Sequence, residues 1–163
     1  MKSYFAIFLT LLFALTFSAT PALAQDAEKA TETEVAADDC NCPEFWDYQY
    51  RSLDEALADK ENTTSLDISM QKLSEIDARI GELSQLQALD LSFNRFSKFP
   101  ESFKNLENLT CLKLTGCQFL SSVPEIIQEL PNLKCLDIGD HPKWSKDKFE
   151  KAKAMLPGVK VTW

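Results

Sequence analysis

Large apolar side chains recur in a mixed pattern from residue 63 to the end of the chain. An amphipathic helix repeats about every 3.6 residues and a half-buried strand every two, and neither period fits this pattern throughout. The pattern instead predicts a short strand followed by a segment that turns the chain back over the same core. It is clearest in LQALDLSFNRFSKFPESFKNLEN, where the apolar positions are Leu86, Leu89, Leu91, Phe96, Phe99, Phe103 and Leu106.

The same unit occurs four times. The units begin at about Thr63, Leu86, Leu109 and Leu133, so their starts are 23, 23 and 24 residues apart. A fixed period of this size is typical of a solenoid, in which each unit covers the apolar edge of the next. Every unit has two apolar residues, two positions apart, that share one side of a strand. They are Leu66 and Ile68, Leu89 and Leu91, Leu112 and Leu114, and Leu136 and Ile138.

Each unit resembles the 23-residue form of the leucine-rich repeat, LxxLxLxxNxLxxLPxxIxxLxx, found in plant disease-resistance proteins, Ras-pathway scaffolds and bacterial surface proteins. The resemblance covers about residues 48–163. It implies an α/β solenoid, a short horseshoe of about four repeats with a parallel sheet on its concave face. At the ninth position Asn94 matches the pattern, whereas Gln71, Cys117 and His141 depart from it. His141 is therefore interpreted as a turn residue and not as a catalytic one.

A solenoid exposes its core at both ends unless terminal units cover it. The sequence SLDE from Ser52 has the form of a capping box, which predicts an N-terminal helical cap. Ser145 begins a second predicted helix, and VKVTW then alternates like a strand, so the predicted C-terminal cap is a helix and a strand. Four aromatic residues precede the first cap and are interpreted as packing for it, with a ligand platform as the alternative. They are Phe45, Trp46, Tyr48 and Tyr50.

The beginning of the chain is unlike the repeats. A charged Lys2, an apolar run from Tyr4 to Phe17 and the Ala22-Leu23-Ala24 site predict a secretory signal peptide over residues 1–24. An uncleaved membrane anchor is the alternative. Residues 25–43 are predicted to be an acidic disordered linker, because little in them can be buried, and residues 44–163 the repeat domain with its caps. We therefore expect a secreted, periplasmic or cell-surface protein with no stable membrane insertion after cleavage.

Charge and residue types narrow the function. The chain has 25 acidic and 17 basic residues, a formal charge of −8, which argues against a nucleic-acid partner. It has one His, no glycine-rich phosphate loop and no GxSxG, so no enzyme activity, cofactor or metal site is predicted. The leading prediction is a module that binds a protein or peptide, and a purely structural envelope protein is an alternative.

The concave strand face is the predicted binding surface. Residues that alternate with the buried leucines point away from the core, so they are available for recognition. Because several of them are acidic, they favour a basic partner, although an acidic face can also serve only solubility. The candidates are Asp67, Ser69, Asp90, Ser92, Phe93, Lys113, Thr115 and Asp137.

Five cysteines lie in a chain predicted to reach an oxidising compartment, so at least one stays unpaired or pairs between molecules. Cys111 and Cys135 occupy equal repeat positions about 4.8 Å apart, a spacing that permits a disulfide although parallel side chains disfavour it. Cys40 and Cys42 form a CxC motif that can provide half of a cap disulfide. Its alternative reading is a thiol-disulfide exchange pair, which would give the protein a different function.

Overall fold

The computed structural model describes residues 42–44 and 47–163. The predicted signal peptide, most of the predicted linker, Cys40, Phe45 and Trp46 lie outside the described residues. Five strands form one parallel sheet in chain order, which confirms the predicted solenoid. They are Ser65–Asp67 (β1), Ala88–Asp90 (β2), Cys111–Lys113 (β3), Cys135–Asp137 (β4) and Lys160–Thr162 (β5).

The sheet register follows the repeat register of the sequence. Leu66, Leu89, Leu112 and Leu136 pair across β1 to β4, and Val161 continues the row in β5. The four leucines are almost fully buried, as are the apolar residues two positions later. Because each unit supplies the same two side chains to the same place, the core is one continuous column behind the sheet.

The return segments form short 3-10 helices, Ala78–Glu82, Glu101–Asn105 and Glu125–Glu129. Two of these helices follow a proline, Pro100 or Pro124, whose ring fixes φ near the value that a helix start needs. The first follows Asp77, whose side chain accepts a hydrogen bond from the Arg79 amide at 2.9 Å. The side chain of Asp77 thus closes the turn in the first repeat, at the position that a proline holds in the second and third.

Both predicted caps are present. The helices are Leu53–Ala58 (α1) and Lys146–Met155 (α2), and β5 follows α2. Ser52 and Ser145 stand at the N-cap positions, but neither side chain makes a capping hydrogen bond, so the capping-box prediction is wrong although the helix starts are right. Tyr50 extends the sheet beyond β1 through a parallel bridge to Leu66. Among the described residues, no helix is long and apolar enough to cross a membrane.

Candidate functional site

The aspartates of the concave face close the turns that follow their own strands. Asp67 Oδ1 accepts from the Ser69 amide at 2.9 Å, and Asp90 Oδ1 from the Ser92 amide at 2.8 Å. Asp137 makes the same bond with the Gly139 amide at 3.0 Å. Sequence reasoning missed this role, although the recurring LDIS, LDLS and LDIG segments place each Asp two residues before the amide that it binds.

An N-terminal arm, defined here as Cys42, Pro43 and Tyr48, lies on the concave face. Cys42 forms a disulfide with Cys111 of β3, with 5.4 Å between their Cα atoms. Lys113 Nζ donates to the Pro43 carbonyl at 2.8 Å and lies 5.5 Å from the centre of the Tyr48 ring. The arm therefore covers part of the concave strand face, which the sequence predicted to be available for binding. Cys42 and Pro43, assigned above to the linker, belong structurally to the repeat domain.

Three of the predicted binding residues are consequently buried. Asp67, Asp90 and Ser92 are 3%, 9% and 5% exposed, so the prediction that they are available for recognition is wrong. Asp67, Asp90 and the Ser92 amide form hydrogen bonds within the turns. Tyr48 packs against Ala88 and Cys111 on the same face of the sheet. The remaining candidates keep some exposure, and Phe93 keeps the most, at 44%. The partly exposed ones are Ser69, Lys113, Thr115 and Asp137.

Burial and neighbouring charges shift the pKa values of two groups on the covered part of the concave face, Asp90 and Tyr48. Burial raises the pKa of Asp90, with Asp67 adding to the effect, while hydrogen bonds from Ser92 and the charge of Lys113 oppose it. Burial and the same two carboxylates also raise the pKa of Tyr48. The Tyr48 hydroxyl has no hydrogen-bond partner among the described residues. Asp67 and Asp90 each accept a hydrogen bond within their own turn, and Lys113 donates to the arm, so these groups are already engaged within the fold.

The cysteine pairing differs from the one that adjacent strands would allow. Cys111 is bonded to Cys42, so the pair Cys111–Cys135 does not form, because the arm brings its own sulfur to Cys111. Cys135 is also disulfide-bonded. Cys117 is buried and unpaired. Cys42 is thus engaged within the fold and not with its neighbour in the CxC motif.

Three different side chains at the ninth position of successive repeats, called here the ninth-position column, each form a hydrogen bond with a backbone carbonyl of the preceding coil. Asn94 Nδ2 donates to the Ile68 carbonyl at 2.8 Å, and Cys117 Sγ donates to the Leu91 carbonyl at 3.3 Å. His141 Nε2 lies 3.0 Å from the carbonyl of Leu114, the equivalent residue one coil later. The column therefore links successive coils.

The structure confirms His141 as a turn residue. Because a carbonyl only accepts, Nε2 is the donor and the neutral ring carries its proton there. Burial lowers the pKa of His141. Its Nδ1 has no hydrogen-bond partner among the described residues, and its ring stacks on Trp144 with 4.3 Å between centroids.

A row of left-handed residues runs beside this column and is called the turn ridge: Met70, Phe93, Gly116 and Asp140. Their φ angles are 58°, 57°, 67° and 52°. Only glycine adopts this conformation without cost, so Met70 and Phe93 are unusual here. Gly116 is needed for a second reason, because a Cβ there would lie 2.5 Å from the Phe93 ring.

A shallow depression lies beside the Phe93 ring, and Gly116 and Pro142 are among the residues that line it. It has a volume of about 510 Å³, and its lining is completed by Gln118, Asp140 and His141. Sequence reasoning singled out Phe93 but missed the depression, which is lined by residues of different coils. Among the residues that the structure describes, no group of His, Cys, Asp and Glu is arranged to hold a metal ion.

Comparisons with known proteins point to one family. The leucine-rich repeat family model matches residues 61–119. The chain is 41% identical to the disease resistance-like protein DSC1 of Arabidopsis thaliana over 70 residues, which is 43% of this chain. It is 46% identical to the TMV resistance protein N of Nicotiana glutinosa over 54 residues, or 33% of this chain. These matches span only 6% and 5% of the two resistance proteins.

A solved structure is similar as well. The structure of a leucine-rich repeat protein from Leptospira interrogans matches with a TM-score of 0.50 and 26% identity. The match covers 62% of this chain and 24% of that one. The similarity thus extends from the repeat sequence to the arrangement of the coils.

Proposed function

Because this chain is a leucine-rich repeat protein, we propose that it is an exported protein-binding module that recognises its partner at the carboxyl ends of its strands. The leucine-rich repeat family supports protein binding in general. The matched relatives are far longer than this chain, so their own targets are not transferred to it. The position of the binding surface has to be argued from the exposed residues of this chain.

The exposed turn ridge carries this proposal. Phe93 and Met70 are 44% and 66% exposed, and neither contributes to the buried column of leucines. Large side chains in a left-handed conformation reduce stability, so a role outside folding is a reason for their presence. Exposed aromatic residues beside a depression are also the usual anchors of protein interfaces. The strand face itself is the weaker candidate, because the arm covers part of it and the carboxylates of Asp67 and Asp90 are hydrogen-bonded within their own turns.

Site-specific photo-crosslinking tests this location. The full chain would carry a benzoylphenylalanine at position 93 or, as a control, at position 104, and would be produced in its own cells. Lys104 is exposed on a return segment, on the side of the coils away from the sheet. We expect a discrete crosslinked protein from position 93 and none from position 104. Equal products from both positions, or none from position 93, would refute binding at the ridge.

Export is proposed from the signal-peptide pattern of residues 1–24. Disulfides at Cys42, Cys111 and Cys135 are compatible with an oxidising compartment. N-terminal sequencing of the mature protein checks this part of the proposal. A chain that begins near Gln25 is expected, and a mature protein that retains Met1 and stays inside the cell would contradict it.

A further inference from the structure

Two large apolar side chains stand next to each other at the start of the turn ridge. Met70 and Phe93 occupy equal positions on successive coils. The Met70 amide donates to the Ser92 carbonyl at 2.9 Å, and the Phe93 amide donates to the Thr115 carbonyl at 2.8 Å. These backbone bonds continue the spacing of the sheet beyond the ends of the strands. The two side chains therefore follow each other at about 4.8 Å. Single exposed apolar residues are ordinary on protein surfaces, but a contiguous pair beside a depression indicates a binding surface.

Two cations accompany this apolar pair. Lys72 and Arg95 lie two residues after Met70 and Phe93, and both are exposed. The Arg95 amide donates to the Leu73 carbonyl at 2.8 Å, so the two cations also stand on adjacent coils. Within residues 42–44 and 47–163, neither side chain forms an ion pair. The ridge thus presents uncompensated positive charge on a chain whose formal charge is −8.

We propose that the turn ridge binds an extended acidic segment of a partner protein. Carboxylates of that segment pair with Lys72 and Arg95, and one apolar side chain enters the depression beside Phe93. This inference rests on the proposed function and adds the chemistry of the partner. It reverses the charge expected from the sequence, because Asp67 and Asp90, which favoured a basic partner, are buried.

The geometry also limits the spacing of the bound segment. The depression lies over Gly116, about 5 Å from the Arg95 coil and about 10 Å from the Lys72 coil at the usual strand spacing. An extended peptide advances about 3.3 Å per residue. Side chains of an extended peptide alternate between its two sides, so acidic residues two and four positions from the apolar anchor share its side. They come within reach of the flexible side chains of Arg95 and Lys72 respectively.

A protein segment fits this surface better than an anionic membrane does. Lipid-binding surfaces with a polybasic character collect roughly four to eight Lys or Arg residues. Here two cations face the ridge, and the depression of about 510 Å³ has room for one side chain of a peptide. Asp140 at the far end of the ridge also disfavours a continuous anionic surface.

Fluorescence polarisation with defined peptides tests the inference on the full mature chain. The probe is fluorescein-labelled Glu-Asp-Glu-Gly-Leu-Gly, and the reversed-charge peptide is Lys-Arg-Lys-Gly-Leu-Gly. We expect the acidic peptide to bind at least tenfold more tightly than the basic one, and its affinity to fall as salt is added. The double variant K72E/R95E should weaken acidic-peptide binding by roughly tenfold or more, and Phe93→Ala by a similar factor.

The matched control is K104E/K151E, which makes the same change in net charge at exposed lysines of a return segment and of α2. It should bind the acidic peptide within about twofold of the unaltered chain, and circular dichroism should show every variant folded. No preference for the acidic peptide, or equal losses in K72E/R95E and K104E/K151E, would overturn the inference. Stronger retention on phosphatidylglycerol vesicles, lost in K72E/R95E, would overturn it in favour of a lipid surface.

The two proposals fail separately. A partner that crosslinks at position 93 and binds K72E/R95E unchanged would retain the protein-binding function and refute the acidic partner. If no protein crosslinks at position 93, the proposed function fails even where the acidic peptide binds.

Discussion

At the scale of single residues, Asn94 forms hydrogen bonds with backbone groups of two neighbouring coils. It is buried, its Nδ2 donates to the Ile68 and Leu91 carbonyls at 2.8 and 2.9 Å, and its Oδ1 accepts from the Leu73 amide at 3.0 Å. Asn94→Ala removes the side-chain partner of the buried Ile68 carbonyl and of the Leu73 amide, while the Leu91 carbonyl keeps the Cys117 thiol as a donor. We predict a loss of about 2–4 kcal/mol in the free energy of unfolding, measured by urea denaturation.

Asn108 supplies the matched control for this prediction. Its Nδ2 donates to the Ser84 carbonyl at 2.8 Å, but the residue is exposed, so water replaces the lost bond. Asn108→Ala should change stability by no more than about 0.5 kcal/mol. Equal losses in the two variants would show that burial does not determine the effect.

His141 makes stability depend on pH. Because burial lowers its pKa below that of the unfolded chain, the unfolded state takes up the proton first as pH falls. The stabilisation is fully present above the unfolded pKa, roughly 6.5, and is lost as pH falls towards the lowered pKa of the folded state. Unfolding free energies from about pH 7.5 to 5 should decrease for the natural chain more steeply than for His141→Asn. Comparing the two chains cancels the opposite contribution of Asp90. Parallel curves would refute the assignment.

Residue roles were predictable from the sequence where they depend on the repeat alone. The buried leucines and the turn role of His141 follow from equal positions in successive units. The burial of Asp67 and Asp90 does not, because it depends partly on an arm that reaches the sheet from outside the repeats. The polarity of a residue on the concave face thus says little about its exposure when another segment covers that face.

At the scale of elements, the arm depends on the bond between Cys42 and Cys111, whose sequence separation is 69. Closing a loop of this length in the unfolded chain stabilises the fold by about 2–4 kcal/mol. We predict that the double variant Cys42→Ala, Cys111→Ala loses that amount and becomes sensitive to proteolysis before residue 50. Alanine suits the second site, since Ala88 occupies the equal position in β2.

Cys117→Ala serves as the comparison for this experiment. Cys117 is buried and unpaired, so its removal costs packing and one weak hydrogen bond without releasing the arm. Its proteolysis pattern should match that of the natural chain. Protection of the arm in the Cys42, Cys111 double variant would show that the remaining contacts, including Lys113 with Pro43, hold it without the disulfide.

The elements themselves were largely predictable, and their long-range partners were not. Each of the first four strands begins two residues after its repeat start, because the LxL pattern fixes which side chains enter the core. The helix starts at Ser52 and Ser145 were also placed correctly. The disulfide partner of Cys111 was missed, because repeat spacing relates Cys111 to Cys135 but carries no information on where the arm crosses the sheet.

At the scale of the whole molecule, stability depends on closing the last coil. β5 supplies the Thr162 carbonyl, 2.9 Å from the Ile138 amide, and α2 places Phe149 and Leu156 in the core. Deleting residues 145–163 exposes the apolar edge of the fourth repeat and leaves one side of β4 unpaired. In a solenoid each unit is stabilised only by its neighbours, so the damage should spread inward from that end. We predict a broadened urea transition at a lower midpoint, together with binding of the dye ANS.

Trp163→Ala, which keeps β5 and α2 but removes the ring stacked on Phe149, should retain a sharp transition. A truncated chain that unfolds as sharply as the full one would show that the first four coils form a closed unit by themselves.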